Sequence, residues 1–164
     1  MNSTRGHSFA EAVIQRVNSD SGYAARLKMA DSEITGFRAF EHLSRWCELS
    51  NDDEFASFAT IAAAIARAKP KRNGFVGIGR ALAMCFDDGC SSTAAKARLL
   101  SLLMCRTVES TTKTLRHILM FINSKGGFCF DYGALLDDLL RFGKDGDSVH
   151  RKWATDFYGT RRLI

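Results

Sequence analysis

The stretch GFVGIGRALAM, residues 74–84, sets three glycines at spacings of three and two, with an arginine directly after the last. Glycines placed this way let backbone N–H groups close around a phosphate, so a nucleotide loop is the first chemistry to test. A Walker loop requires G-x-x-x-x-G-K-[ST], and the chain contains no Gly-Lys-Ser or Gly-Lys-Thr. A dinucleotide fingerprint requires G-x-G-x-x-G between an apolar strand and a helix. Here the spacing is reversed, and a polar, basic segment, AKPKRNG, precedes it. What remains is a tight turn into a helix starting near Ile78. Leu82 then packs inward, and Arg80 adds charge beside the free N–H groups of the first turn, a combination that favours an anion.

Other reactive side chains are scattered. The histidines His7, His42, His117 and His150 are isolated, and none stands at zinc spacing from a cysteine. The five cysteines, Cys47, Cys85, Cys90, Cys105 and Cys129, form no C-x-x-C pair and read as reduced, mostly buried thiols. Neighbouring acids at Asp87–Asp88 and Asp137–Asp138 do not face each other on a helix, so capping and solvation are their expected work. No nucleophile–base–acid set stands out from the many serines. The expectation is a protein that is not an enzyme and needs no cofactor or metal.

Charge is distributed more tellingly. The chain carries +5, yet the window from Phe55 to Phe86 alone holds Arg67, Lys69, Lys71, Arg72 and Arg80 with no acid. The window from Ala94 to Lys125 holds Lys96, Arg98, Arg106, Lys113, Arg116 and Lys125 against Glu109. Each window is +5, so the rest of the chain is −5. Positive charge confined to two segments suits a polyanion, nucleic acid foremost. In TTKTLRHILMFIN, Leu115, Ile118, Leu119 and Ile122 fall within about 100° on a helical projection. Lys113, Arg116 and His117 fall opposite them and can meet successive phosphates of one strand.

The elements that must position these groups are helices. Ser8 and Glu11 have capping-box spacing ahead of an apolar stripe of Phe9, Val13, Ile14 and Val17. YAARLKM reads as a short second helix carrying Arg26 and Lys28. Phe37, Phe40, Leu43 and Trp46 repeat every three residues and read as a third, with Phe37, Phe40, Trp46, Phe55 and Phe58 among the core aromatics. Asn51 and Glu54 cap a fourth, FASFATIAAAIARA. Helix-length segments continue to SVHRKWATDFY, where Lys152 and Asp156 stand at i, i+4. GGFCFDYG is the one stretch suited to an extended piece. With 46% hydrophobic residues the chain can fill a core. The expected fold is all-α, a compact bundle of about eight or nine helices. The only proline, Pro70, suggests a basic connection over 69–77 between an N-terminal lobe, about 8–68, and a C-terminal lobe, about 78–158. No window approaches the ~18 apolar residues of a membrane span, and the N-terminus lacks a signal-peptide pattern, so a cytoplasmic protein is expected.

The order of motifs is itself informative. GIGRALA, then AKARLLSLLMCR, TLRHIL and FDYGALLDDLLRFGKDGDSVHRKWATDFY, preceded by DSGYAARLKMA and FRAFEHL, resembles the CasB family, the small subunit of the type I-E CRISPR Cascade complex. The resemblance runs from about Asp20 to Tyr158. It implies a non-catalytic, all-α subunit, present as two head-to-tail copies, that contacts the backbone and large subunits. It also implies a basic surface that helps hold the guide RNA–target DNA hybrid and the displaced DNA strand. Matching basic positions are Arg26, Lys28, Arg80, Arg98, Arg106, Arg116, Lys144, Arg151 and Lys152, and the α-helical patch adds Lys113. A stand-alone helix-turn-helix regulator is the alternative, with residues 92–123 as its candidate motif. Its second helix is too apolar, and its cations suit phosphates better than base edges.

Overall fold

The computed structural model describes residues 3–159, so Arg161 and Arg162 of the C-terminal extension lie outside the described residues. Eight α-helices appear among them: α1 Arg5–Ser19, α2 Ser21–Lys28, α3 Phe40–Leu43, α4 Asp52–Ala68, α5 Ile78–Met84, α6 Thr93–Leu103, α7 Val108–Ser124 and α8 Tyr132–Tyr158. There is no strand among the described residues. The GGFCFDYG segment contributes only a parallel bridge, Phe130 to Val76. The all-α expectation therefore holds.

Caps and periodicity account for most helix boundaries. Asn51 accepts from the Glu54 N–H at the head of α4, as its spacing implies. Thr107 and Ser110 form a reciprocal capping box at α7. The α7 projection also holds, with Leu115, Ile118, Leu119 and Ile122 all buried. At α1 the start differs from expectation. Thr4, not Ser8, is the cap, accepting from the His7 N–H. The cap falls one turn earlier because Gly6, which meets α8, and Phe9, which meets α4, are both needed inside the helix.

The third predicted helix is corrected. A 3-10 turn over Gly36–Ala39 leads into the four-residue α3. A three-residue repeat suits a 3-10 turn, and the inward positions are Gly36, Ala39, His42 and Leu43. Phe37 and Phe40 are consequently 60% and 42% exposed rather than core.

Helix α4 is buried nearly all round, and its alanines let α1, α2, α7 and α8 approach it. Phe58 on α4 meets Phe9 of α1 edge-on at 4.8 Å between ring centres, and Phe9 meets Trp46 at 5.3 Å.

Helix α8 joins the two ends of the chain. Its acids cap other helices: Asp137 Oδ1 accepts from the Gly6 N–H of α1 at 2.8 Å, and Asp156 Oδ2 accepts from the Arg80 N–H of α5 at 2.8 Å. Both junctions are backbone-close. A Cβ on Gly6 would stand 2.2 Å from the Gly133 carbonyl oxygen, and one on Gly79 would stand 2.2 Å from that of Trp153. Within α8, Asp145 leaves helical geometry at φ −149°, ψ 63°, and its side chain accepts from the Ser148 N–H at 3.2 Å. The helix thus breaks and restarts at Asp145, where the sequence places KDGD between two helical segments.

Candidate nucleic-acid interface

The glycine-rich turn resolves first. An N–H in the first turn of α5, that of Arg80, does meet an anion, and it is the Asp156 carboxylate of α8. Asp156 is therefore committed to α5 rather than to Lys152. Lys152 Nζ instead donates to Asp138 at 2.7 Å. Asp138 is only 4% exposed and also accepts from the Trp153 indole N–H at 2.9 Å and from Arg141 at 3.2 Å.

The basic residues named from sequence divide by neighbourhood. Lys28 closes α2, and its carbonyl accepts from Arg67 of α4 at 3.2 Å. Arg67 grips Asp31 with two hydrogen bonds, at 2.7 and 3.0 Å. Asp31 Oδ2 lies 3.4 Å from Arg116 Nε on α7. One turn back on α7, Lys113 Nζ lies 3.1 Å from Glu109 and 3.4 Å from Glu33. Lys113, Arg116 and His117 line one wall of a cleft of about 630 Å³, with Asp31, Glu33 and Ile34 opposite. His117 also lines a smaller recess with Arg98 of α6, so α7 links the two. The structure therefore brings Lys113, Arg116 and Arg98, from α6 and α7, into one neighbourhood, with the Lys28 backbone tied to it through Arg67.

Arg106 and Lys144 meet at a second place, a recess beside the break in α8 that His150 also lines. Arg106 lies 3.6 Å from Asp147 there. Lys152 sits apart, in a pocket shared with Asp131, Asp138 and Asp156. Arg26, Arg80 and Arg151 are exposed, and no hydrogen bond or ion pair ties their side chains to either basic neighbourhood among the described residues.

Carboxylates answer several of these cations. Arg106, Lys113, Arg116 and Lys152 each have an acidic partner. Arg26, Lys28, Arg80, Lys144 and Arg151 have none at ion-pair distance among the described residues. Lys113 is held in its charged form by Glu109 first and Glu33 next, which raise its pKa. Arg67 escaped the sequence reading as an organising residue because its partner, Asp31, stands 36 positions away in a loop with no signature.

Two histidines, His42 against Tyr23 and His150 beside the break in α8, sit in surroundings that disfavour their charged form. Burial, and then Arg16, hold His42 below the usual histidine value; burial, and then Arg106, do the same to His150. Burial pushes the Cys47 thiol up to about 11, in keeping with a structural cysteine.

The same fold occurs in solved structures. CasB from Thermus thermophilus superposes with a TM-score of 0.73 at 22% identity, covering 94% of this chain and 97% of that one. M. ruber CasB superposes with a TM-score of 0.70 at 22% identity, covering 98% of this chain and 96% of that one. No curated protein matches the sequence. The family model for the CRISPR-associated protein Cse2 matches residues 5–158. The chain therefore belongs to the Cse2 (CasB) family, the small subunit of the type I-E Cascade complex. No helix among the described residues is long and apolar enough to cross a membrane.

Proposed function

We propose that this protein is a non-catalytic, cytoplasmic subunit that stabilises the R-loop of an RNA-guided complex. It holds the guide RNA–target DNA hybrid and the displaced DNA strand through its basic surface. Its protein partners are the Cascade backbone and large subunits and a second copy of itself, arranged head to tail. The observation that carries this reading is the family match across residues 5–158. The grouping of Lys113, Arg116 and Arg98 supports it, because α6 and α7 present cations to one surface.

Base pairing with the guide reads sequence, and phosphate contacts tip a nearly balanced strand exchange. Binding should fall steeply with salt and show little sequence preference. Unpaired cations meet phosphates at the lowest cost, since no internal ion pair must break first. The test is the lifetime of the R-loop formed by the assembled complex carrying Arg26→Glu, Lys28→Glu, Lys144→Glu and Arg151→Glu together. A shortened lifetime with an intact subunit fold is expected, and an unchanged lifetime overturns the proposal.

A further inference from the structure

Between α6 and α7 lies a recess of about 300 Å³ lined by Arg98, Ser101, Thr114, His117, Ile118 and Phe121. No carboxylate lines it, whereas the larger cleft holds Asp31, Glu33 and Glu109 and the recess at the α8 break holds Asp145 and Asp147. The Arg98 guanidinium lies over the Phe121 ring at 4.1 Å and over Phe86 at 5.6 Å. The two rings are 5.6 Å apart. Lys125 Nζ approaches Phe121 at 5.6 Å as well. Arg98 makes no hydrogen bond or ion pair among the described residues, so aromatic faces alone fix its plane and its N–H donors stay available.

A phosphate needs nothing of this kind; an exposed lysine serves it. A flat cation backed by a ring suits a flat ligand, because guanidinium planes stack on nucleobases. The recess has an apolar floor in buried Ile118 and half-buried Phe121. Its rim carries hydroxyls and an imidazole. Ser101 Oγ donates to the Ala97 carbonyl at 3.0 Å, which leaves its lone pairs open to a donor on a base edge. His117 is exposed and makes no hydrogen bond among the described residues.

We propose that this recess takes one unstacked nucleobase of a single strand, stacked on the Arg98 guanidinium, while the strand's phosphates pass along α7. The inference rests on the strand-holding reading above and adds a base-binding step to it. Stacking of this kind tolerates any base, so it leaves sequence preference low.

The experiment measures anisotropy of labelled single-stranded oligonucleotides with the full chain at fixed salt. Base-bearing strands are compared with abasic strands of equal length and charge, in DNA and RNA arms that identify which strand is taken. In at least one arm the base-bearing strand should bind about five- to tenfold tighter. Arg98→Lys, which keeps the charge and loses the plane, should reduce that preference to less than about twofold while leaving the salt dependence intact. Phe121→Leu should act likewise, and circular dichroism reports whether it folds; if it does not, Arg98→Lys decides. Equal affinity for base-bearing and abasic strands in both arms overturns the base-binding step and leaves the strand-holding reading standing. A preference retained by Arg98→Lys does the same. Absence of any salt-dependent binding overturns both.

Discussion

Asp138 shows how much one carboxylate can organise. It is buried, and it accepts from Trp153, Lys152 and Arg141. Asp138→Asn removes the charge and turns one acceptor into a donor facing those donors. A loss of about 2 kcal/mol in urea unfolding is expected, discounted for the exposure of both cations. Neighbouring Asp137 does different work, capping α1. The sequence shows two adjacent acids; about 100° of helical rotation separates their fates, and only the packing of α8 says which side is inside. Glu33 and Glu109 compete with any phosphate for Lys113. Glu33→Gln with Glu109→Gln should tighten single-strand binding about two- to fivefold at low salt, read by titration, with the gain shrinking as salt rises. His42 and His150 give a pH signature. Both are depressed, so the unfolded chain takes up the proton more readily than the folded one. Their contribution is complete above about pH 6.5 and is lost as pH falls below it. Urea midpoints should therefore drop between about pH 7.5 and about pH 5.5, and the drop should shrink in the double variant His42→Gln, His150→Gln.

At the scale of elements, two glycines on helices make opposite predictions. A Cβ on Gly79 would press into the backbone of α8, 2.2 Å from Trp153 O and 2.6 Å from Phe157 N. Backbone cannot swing aside as a side-chain tip can, so Gly79→Ala should cost about 2–3 kcal/mol by thermal or urea unfolding. A Cβ on Gly143 meets nothing within 4 Å on the helical stretch before the break. Gly143→Ala should stabilise by about 0.5–1 kcal/mol in the same assay. Legibility follows the same logic. Helix α7 was readable because its apolar positions lie on one stripe, although the capping box at Thr107 and Ser110 that starts it was not singled out. Helix α4 was readable from Asn51 and its alanines. The α3 region was not, because a repeat of three fits a tight 3-10 turn as well as a helix, and the turn sends Phe37 and Phe40 outward. Arg80 was correctly placed on a helix start, but the anion at that start comes from Asp156, 76 residues later, which no local pattern announces.

For the whole molecule, the sequence shows the excess positive charge and the two segments that carry it, while the placement of those cations depends on long-range contacts. The two +5 windows contain Arg67, Arg98, Lys113 and Arg116, which meet across α4, α6 and α7. The neutralisation of Arg67 and Arg116 by Asp31 and of Lys113 by Glu33 was invisible, because both acids belong to the acidic remainder of the chain. Cations of equal formal charge should therefore count unequally. Reversing Arg26, Lys28 or Arg151 should weaken strand binding and lower the salt slope by about one for each phosphate no longer met, at little cost in stability. Reversing Arg106 or Lys152 should cost less binding per residue, and Lys152→Glu should cost stability as well; parallel titrations and melts separate the two sets. One architectural fact reaches into biosynthesis. The first helix is clamped by the last, through Gly6 on Gly133 and Asp137, some 130 residues downstream. An emerging chain cannot make that clamp until translation is nearly over, so the face of α1 that meets α8 must wait on the ribosome uncovered, even though Phe9 can already meet Phe58 of α4. A nascent chain stopped before Tyr132 should be more protease-sensitive around Gly6 in α1 than the full-length polypeptide, whose release should protect it.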